Sequence, residues 1–107
     1  MNMRILTHVN REEGSTWIFF RATDHWFHLP LPLELFEQEN NCTVLSNQTT
    51  TFREVRLKKG DIEFELLHDD LFGNFISTNN PKDVPALLEL AESVLKSMIR
   101  IEALDNA

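Results

Sequence analysis

The most regular pattern in the chain lies between Asp83 and Ile101, where apolar side chains recur every three or four residues. This spacing places them in one stripe along an α-helix. Asp83 suits the N-cap because its carboxylate can accept a bond from a free first-turn N–H, and Pro85 removes no helical donor there. We therefore expect an amphipathic helix that needs an apolar surface to cover its stripe. The stripe comprises Val84, Leu87, Leu88, Ala91, Val94, Leu95, Met98 and Ile101.

Segments of alternating or β-rich residues precede this helix, as is typical of β-strands. Gly14 follows the first of these segments in a polar loop, and Gly60 lies in the connection Lys58 to Asp61. Both connections predict hairpins, because glycine readily adopts the positive φ of tight turns. Turns are expected at 46–48 and 69–74. The expected strands are 3–9, 16–22, 42–45, 49–58, 61–68 and 75–78.

The second of these segments is apolar on both faces. In a strand, Trp17 and Phe19 point to one side, and Ile18 and Phe20 point to the other. A strand of this kind is usually central in its sheet and covered on both faces. The C-terminal helix can cover one face, and a second layer, a loop or another subunit would cover the other.

The segment from Thr23 to Phe36 supports two interpretations. Alternating apolar residues from Phe27 onward indicate extended chain, but Pro30 and Pro32 would confine a strand there to a sheet edge. In the alternative, which we favour, the chain is extended only to Pro30 and a short helix then spans 32–39. That helix would begin at Pro32 and bury Leu33 and Phe36.

Together these elements predict one domain spanning residues 1–107 and belonging to the α+β class. The expected architecture is a two-layer fold, in which an antiparallel sheet of five or six strands is packed by a long C-terminal helix. One cysteine, Cys42, excludes an internal disulfide. Because the sequence also shows no signal peptide and no apolar run long enough for a membrane span, we expect a cytoplasmic protein.

The net charge of −7 argues against nucleic acid and membrane as partners, since both are anionic and need a cationic surface. The charge is segregated, with basic residues concentrated in 53–59 and acidic residues in 61–70. The two segments form the clearest predicted hairpin. We therefore expect the opposite charges to pair across its strands and help fix their register.

The histidines and carboxylates are the candidates for metal or acid–base chemistry. His25 and His28 could bind a metal together with His68, Asp69 and Asp70. In an extended strand, however, His25 and His28 would face opposite sides, so histidines at the surface are the alternative. Asp69, Asp70, Glu63 and Glu65 could act as paired carboxylates, but a turn and a solvated strand face explain them better.

No catalytic residue or cofactor site is predicted. Cys42 lacks a basic neighbour or helix N-terminus that would activate a thiol. The isolated glycines cannot form a phosphate-binding loop, and no serine has the context of a nucleophile. We therefore expect a protein that is not an enzyme.

The aromatic residues supply the remaining functional hypothesis. Trp17, Phe19, Trp26 and Phe27 can fill a core or anchor an interface. The function we favour is a non-catalytic protein-interaction module that binds a protein partner or itself, as a homodimer through the open sheet face. One alternative is an acidic inhibitor, immunity or chaperone-like protein that binds a basic partner. Another is a small metal-binding domain using His25, His28, His68 and Asp69.

Overall fold

Six strands and a long C-terminal helix make up most of the fold in the computed structural model. The structure describes residues 3–10, 14–22, 33–49, 53–69 and 73–105. A short helix, α1 (Leu35–Glu39), a 3-10 turn (Pro81–Asp83) and a long helix, α2 (Val84–Asp105), accompany the sheet. The strands are β1 (Met3–Asn10), β2 (Ser15–Ala22), β3 (Thr43–Thr49), β4 (Arg53–Lys59), β5 (Ile62–Asp69) and β6 (Gly73–Thr78).

The six strands form one antiparallel sheet in the order β1-β2-β6-β5-β4-β3. The chain first forms the hairpin β1–β2 and then crosses to the opposite edge of the sheet. It returns strand by strand from β3 until β6 pairs with β2. The predicted α+β class and antiparallel sheet are confirmed. The interior position of β2 also agrees with its two apolar faces.

The predicted hairpin between β4 and β5 is confirmed. Lys59 lies opposite Ile62, so Gly60 and Asp61 form a two-residue loop. Gly60 has φ +60° and is the first central residue, as in hairpin turns of type II′. Glycine is favoured at this position because a side chain would strain the backbone at positive φ.

One face of the sheet, here called the inner face, packs against both helices. Ile18, Leu57, Leu66 and Ile76 lie on it and are fully buried. The predicted helix stripe supplies most of the opposing layer, and Leu90, which the stripe omitted, is also buried. Full burial of each such aliphatic side chain contributes about 1.5–3 kcal/mol relative to exposure. The buried stripe residues of α2 are Leu87, Ala91, Val94, Leu95 and Met98.

A short capped segment precedes the predicted start of the long helix. Asn80 is its cap, because Asn80 Oδ1 accepts a hydrogen bond from the Lys82 N–H at 3.2 Å. Pro81 then occupies the first position of a 3-10 turn that leads directly into α2. Asp83 closes that turn by donating its N–H to Asn80 O at 3.0 Å. Asp83 directly precedes Val84, the first residue of α2, so it lies at the predicted N-cap position, and a capping bond from its side chain stays a prediction.

The short helix predicted at 32–39 is confirmed by α1. Phe36 is fully buried. Leu33, two residues before α1, is partly buried and packs against the core. The ring of Phe36 lies 6.1 Å from that of Phe20 and 5.6 Å from that of Phe64, measured between centroids. The extended segment predicted up to Pro30 lies outside the described residues.

The third strand is longer than its sequence indicated. The predicted turn at 46–48 is wrong, because β3 continues to Thr49 with a β-bulge between Val44 and Ser46. Leu45, at the bulge, is 45% exposed. Since β3 is an edge strand with a solvated side, its polar residues do not disrupt the sheet, and the bulge blunts an otherwise open edge.

Candidate functional site

Four rings gather on the sheet face opposite the helices, here called the outer face. Trp17 and Phe19 of β2 meet Phe75 of β6, with ring centroids 5.9 and 5.0 Å from that of Phe75. His8 of β1 completes the set, with its ring 5.6 Å from that of Trp17. Such tilted and edge-on pairs each contribute about 0.5–1.5 kcal/mol beyond area burial. We call His8, Trp17, Phe19 and Phe75 the aromatic cluster.

The pairing of β2 with β6 creates this cluster. Phe19 lies directly opposite Phe75, and Trp17 lies opposite Ser77. The buried core of the described residues contains the inner-face neighbours Ile18 and Ile76 but none of the four rings. Trp17, Phe19 and Phe75 are half-buried. The cluster is thus an apolar area on the sheet that lies apart from the main core.

Charged residues occupy the other half of the outer face, on β4 and β5. Arg56 lies opposite Glu65, and Lys58 lies opposite Glu63. Arg56 also approaches Glu63 diagonally, with 3.9 Å between Nη2 and Oε2 and both side chains about half exposed. The predicted basic and acidic strands are therefore neighbours in register. Pairs of this kind contribute about 0.2–1 kcal/mol each.

The carboxyl of Glu65 lies in a partly buried position on this face. Partial burial raises its pKa above the ordinary value, and the charge of Glu54 and a hydrogen bond with it act in the same direction. The nearby Arg56 opposes the shift. Two carboxyls that share a hydrogen bond favour retention of a proton, because close like charges repel. Glu65 therefore holds a proton to higher pH than an isolated glutamate.

An open cleft of about 330 Å³ runs from the outer face around the ends of β5 and β6. Among the described residues, four carboxylate side chains line it, with a single guanidinium, that of Arg56, to oppose them. Ser77 also lines the cleft, next to the aromatic cluster in strand register. The anionic cleft thus begins beside the aromatic cluster. Its carboxylates belong to Asp61, Glu63, Glu65 and Asp83.

The histidine hypothesis is tested only in part. His68 lies opposite Asn74, and its Nδ1 is 2.8 Å from Asn74 Oδ1. Within the described ranges, no group of three or more His, Cys, Asp or Glu residues is arranged to hold a metal. His25, His28 and Asp70 lie outside those ranges, and only the backbone of Asp69 is described. A metal site that uses them stays a prediction.

Cys42 occupies an apolar environment. Its thiol is buried in the core, 3.9 Å from the carbonyl oxygen of Asn40. Burial raises its pKa, and the positive charge of Lys59 only partly opposes that effect. A raised pKa lowers the thiolate fraction, and the thiolate is the nucleophile. The geometry suits a packing residue.

Sequence reasoning identified half of the aromatic cluster. Trp17 and Phe19 were predicted interaction residues and lie on the outer face, whereas Trp26 and Phe27 lie outside the described residues. Phe75 was missed, although it alternates with the buried Ile76 in a predicted strand. Its proximity to Trp17 depends on the pairing of β2 with β6, which no local pattern specifies.

No family model, curated protein or solved structure matches this chain. In addition, none of the helices that the structure describes is long and apolar enough to span a membrane.

Proposed function

We propose that this protein is a non-catalytic protein-interaction module that binds its partner through the outer face of the sheet. The observation that carries the proposal is the position of the aromatic cluster, which lies apart from the main core with Trp17, Phe19 and Phe75 only half-buried. Contiguous apolar area of this kind is typical of interaction sites, and Trp is among the residues that most often anchor interfaces.

Protein is the class of partner that the charge favours. The net charge of −7 disfavours binding to nucleic acid or an anionic membrane. The lone cysteine is buried as a free thiol, which suits a reducing compartment and supports a cytoplasmic location. The partner is another protein or a second copy of this chain. The mass of the protein in solution distinguishes the two, because only self-association raises the mass of the purified chain.

The test compares two substitutions that each remove an apolar side chain, one from the outer face of the sheet and one from the surface of α2. Trp17→Ser alters the aromatic cluster, whereas Ile99→Ser removes an apolar side chain that is 43% exposed on α2. Sedimentation equilibrium reports self-association, and capture from an extract of the source cells reports other partners. We expect Trp17→Ser to abolish dimerisation or partner capture and Ile99→Ser to preserve it. Equal behaviour of the two variants, with both folded, would contradict the proposal.

A further inference from the structure

A row of three side chains crosses the middle of the outer face. Trp17 on β2 lies opposite Ser77 on β6, and Ser77 lies opposite Glu65 on β5. Neighbouring strands are about 4.8 Å apart, so the backbones at Trp17 and Glu65 are separated by about 10 Å. The short side chain of Ser77 therefore lies between a large indole on one side and a carboxyl on the other, and we infer a notch at this position from the strand register.

The notch opens into the anionic cleft, which Ser77 and Glu65 both line. Among the described residues that line the cleft, Arg56 is the only cationic one, and it lies opposite Glu65 and 3.9 Å from Glu63. Even with Lys58 opposite Glu63, four carboxyl groups outnumber the two cationic side chains beside them, so the cleft retains negative charge beside the aromatic cluster. An anionic site next to an indole favours a cation with an apolar stem, because the stem packs on the ring and the head binds the carboxylate.

We propose that the partner of the outer face is a protein segment carrying alternating apolar and cationic side chains, one of which enters the notch at Ser77. Its apolar side chains pack on the aromatic cluster. The alkyl part of a lysine or arginine packs on Trp17, and its charged head binds Glu65. This inference rests on the proposed function and specifies the chemistry of the partner.

The test uses a chain with Trp26→Phe, which leaves Trp17 as the only tryptophan of the two. Trp17 fluorescence is followed during titration with three capped pentapeptides, Lys-Val-Lys-Val-Lys, Ser-Val-Ser-Val-Ser and Glu-Val-Glu-Val-Glu. We expect saturable binding of the lysine peptide, weaker binding of the serine peptide and none of the glutamate peptide. Added salt should weaken lysine-peptide binding, since charges at a protein surface are screened.

Two variants locate the binding. Glu65→Gln should weaken lysine-peptide binding about five- to tenfold, because it removes one partly desolvated charge pair. The matched variant Glu89→Gln, on the exposed surface of α2, should leave it unchanged. Ser77→Leu fills the notch and should also weaken binding. Glu65→Gln keeps the test valid if Ser77→Leu fails to fold, and thermal unfolding verifies the fold of each variant.

The outcomes separate this inference from the proposed function. Equal binding of the lysine peptide to wild type and Glu65→Gln would overturn the cation site, as would equal binding of all three peptides. Binding of the serine peptide alone would also overturn the cation site, but it would leave the outer face as an interaction surface. A stable dimer that no peptide dissociates would identify a second copy as the occupant and overturn the inference. If no peptide binds and Trp17→Ser changes neither mass nor capture, both proposals fail.

Discussion

Ser93 on α2 donates a hydrogen bond from its Oγ to Oδ1 of Asn40 at 3.0 Å, joining residues 53 positions apart. Asn40 Nδ2 in turn donates to the carbonyl oxygen of Leu35 at 2.9 Å, and Lys59 Nζ donates to the carbonyl oxygen of Asn40 at 2.7 Å. One buried amide residue thus connects α1, α2 and the end of β4. Because buried polar groups are costly when unpaired, this network fixes the positions of the three elements.

Replacement of Asn40 should therefore destabilise the fold. We expect Asn40→Ala to lower the free energy of unfolding by about 1–3 kcal/mol, because it removes the two side-chain hydrogen bonds with Leu35 and Ser93 from a buried position. The exposed Asn79 provides the control, with a change of about 0.5 kcal/mol or less in Asn79→Ala. Urea unfolding followed by circular dichroism measures both. A loss for Asn40→Ala no larger than that for Asn79→Ala would contradict the network.

Leu66 and Leu67 are adjacent in β5 but lie on opposite sheet faces. Leu66 is fully buried on the inner face, and Leu67 is half-buried opposite Phe75. Leu66→Ala should cost about 2–5 kcal/mol, since it removes apolar contacts and leaves a cavity. Leu67→Ala should cost about 1 kcal/mol, because a half-buried side chain loses only part of its transfer free energy. Thermal and urea unfolding compare the two, and similar costs would argue that both faces are equally covered.

Because the pKa of Glu65 is raised, its replacement should change the stability of the fold by an amount that depends on pH. Since the folded-state pKa lies above that in the unfolded chain, the folded state loses stability as the pH rises through the folded-state pKa. Glu65→Gln removes this charge, so it should stabilise the protein at pH 7. We expect a gain of under about 1 kcal/mol, because solvent screens groups on a sheet surface.

The gain should disappear at about pH 3.5, where glutamate side chains are largely protonated in both states. Urea unfolding at the two pH values measures this difference. Glu89→Gln, on the exposed surface of α2, is the control and should change stability by under about 0.5 kcal/mol at either pH. A loss of stability in Glu65→Gln at pH 7 would show that its pairing with Arg56 outweighs the effects of burial and Glu54.

Cys42 should react slowly in the folded protein. Burial raises the pKa of its thiol and also blocks access to it. We expect alkylation by iodoacetamide at pH 8 to be about 100-fold slower than in urea-unfolded chain, since reaction requires local opening of the core. Mass spectrometry over a time course measures the rates. Comparable rates in the folded and unfolded chain would place the thiol at the surface.

Local periodicity was sufficient to predict the main elements. The stripe of α2 and the alternation around Gly60 each depend on neighbours in the sequence, and the structure contains both. The end of β3 was not predictable in this way, because Ser46 and Asn47 are typical of turns. They belong to a strand only because β4 pairs with them and one strand edge is solvated.

The candidate site depended on tertiary pairing to a greater extent. The sequence placed Trp17 and Phe19 on one face of a strand, but it could not identify Phe75 or Ser77 as their neighbours. A strand's periodicity specifies which face a side chain occupies and leaves open which strand lies alongside. The carboxyl pair of Glu54 and Glu65 was likewise unpredictable, since their diagonal contact depends on the register of β4 and β5.

The strand order has a consequence for the time at which the aromatic cluster forms. The hairpin β1–β2 and the meander β3 to β6 each assemble from consecutive strands, but the contact between Thr16 and Thr78 closes a loop of most of the chain. Such closure is entropically costly, so we expect the seam between β2 and β6 to form late in folding. During synthesis, the aromatic cluster therefore cannot form until β6 has left the ribosome, so the proposed recognition would need both β2 and β6.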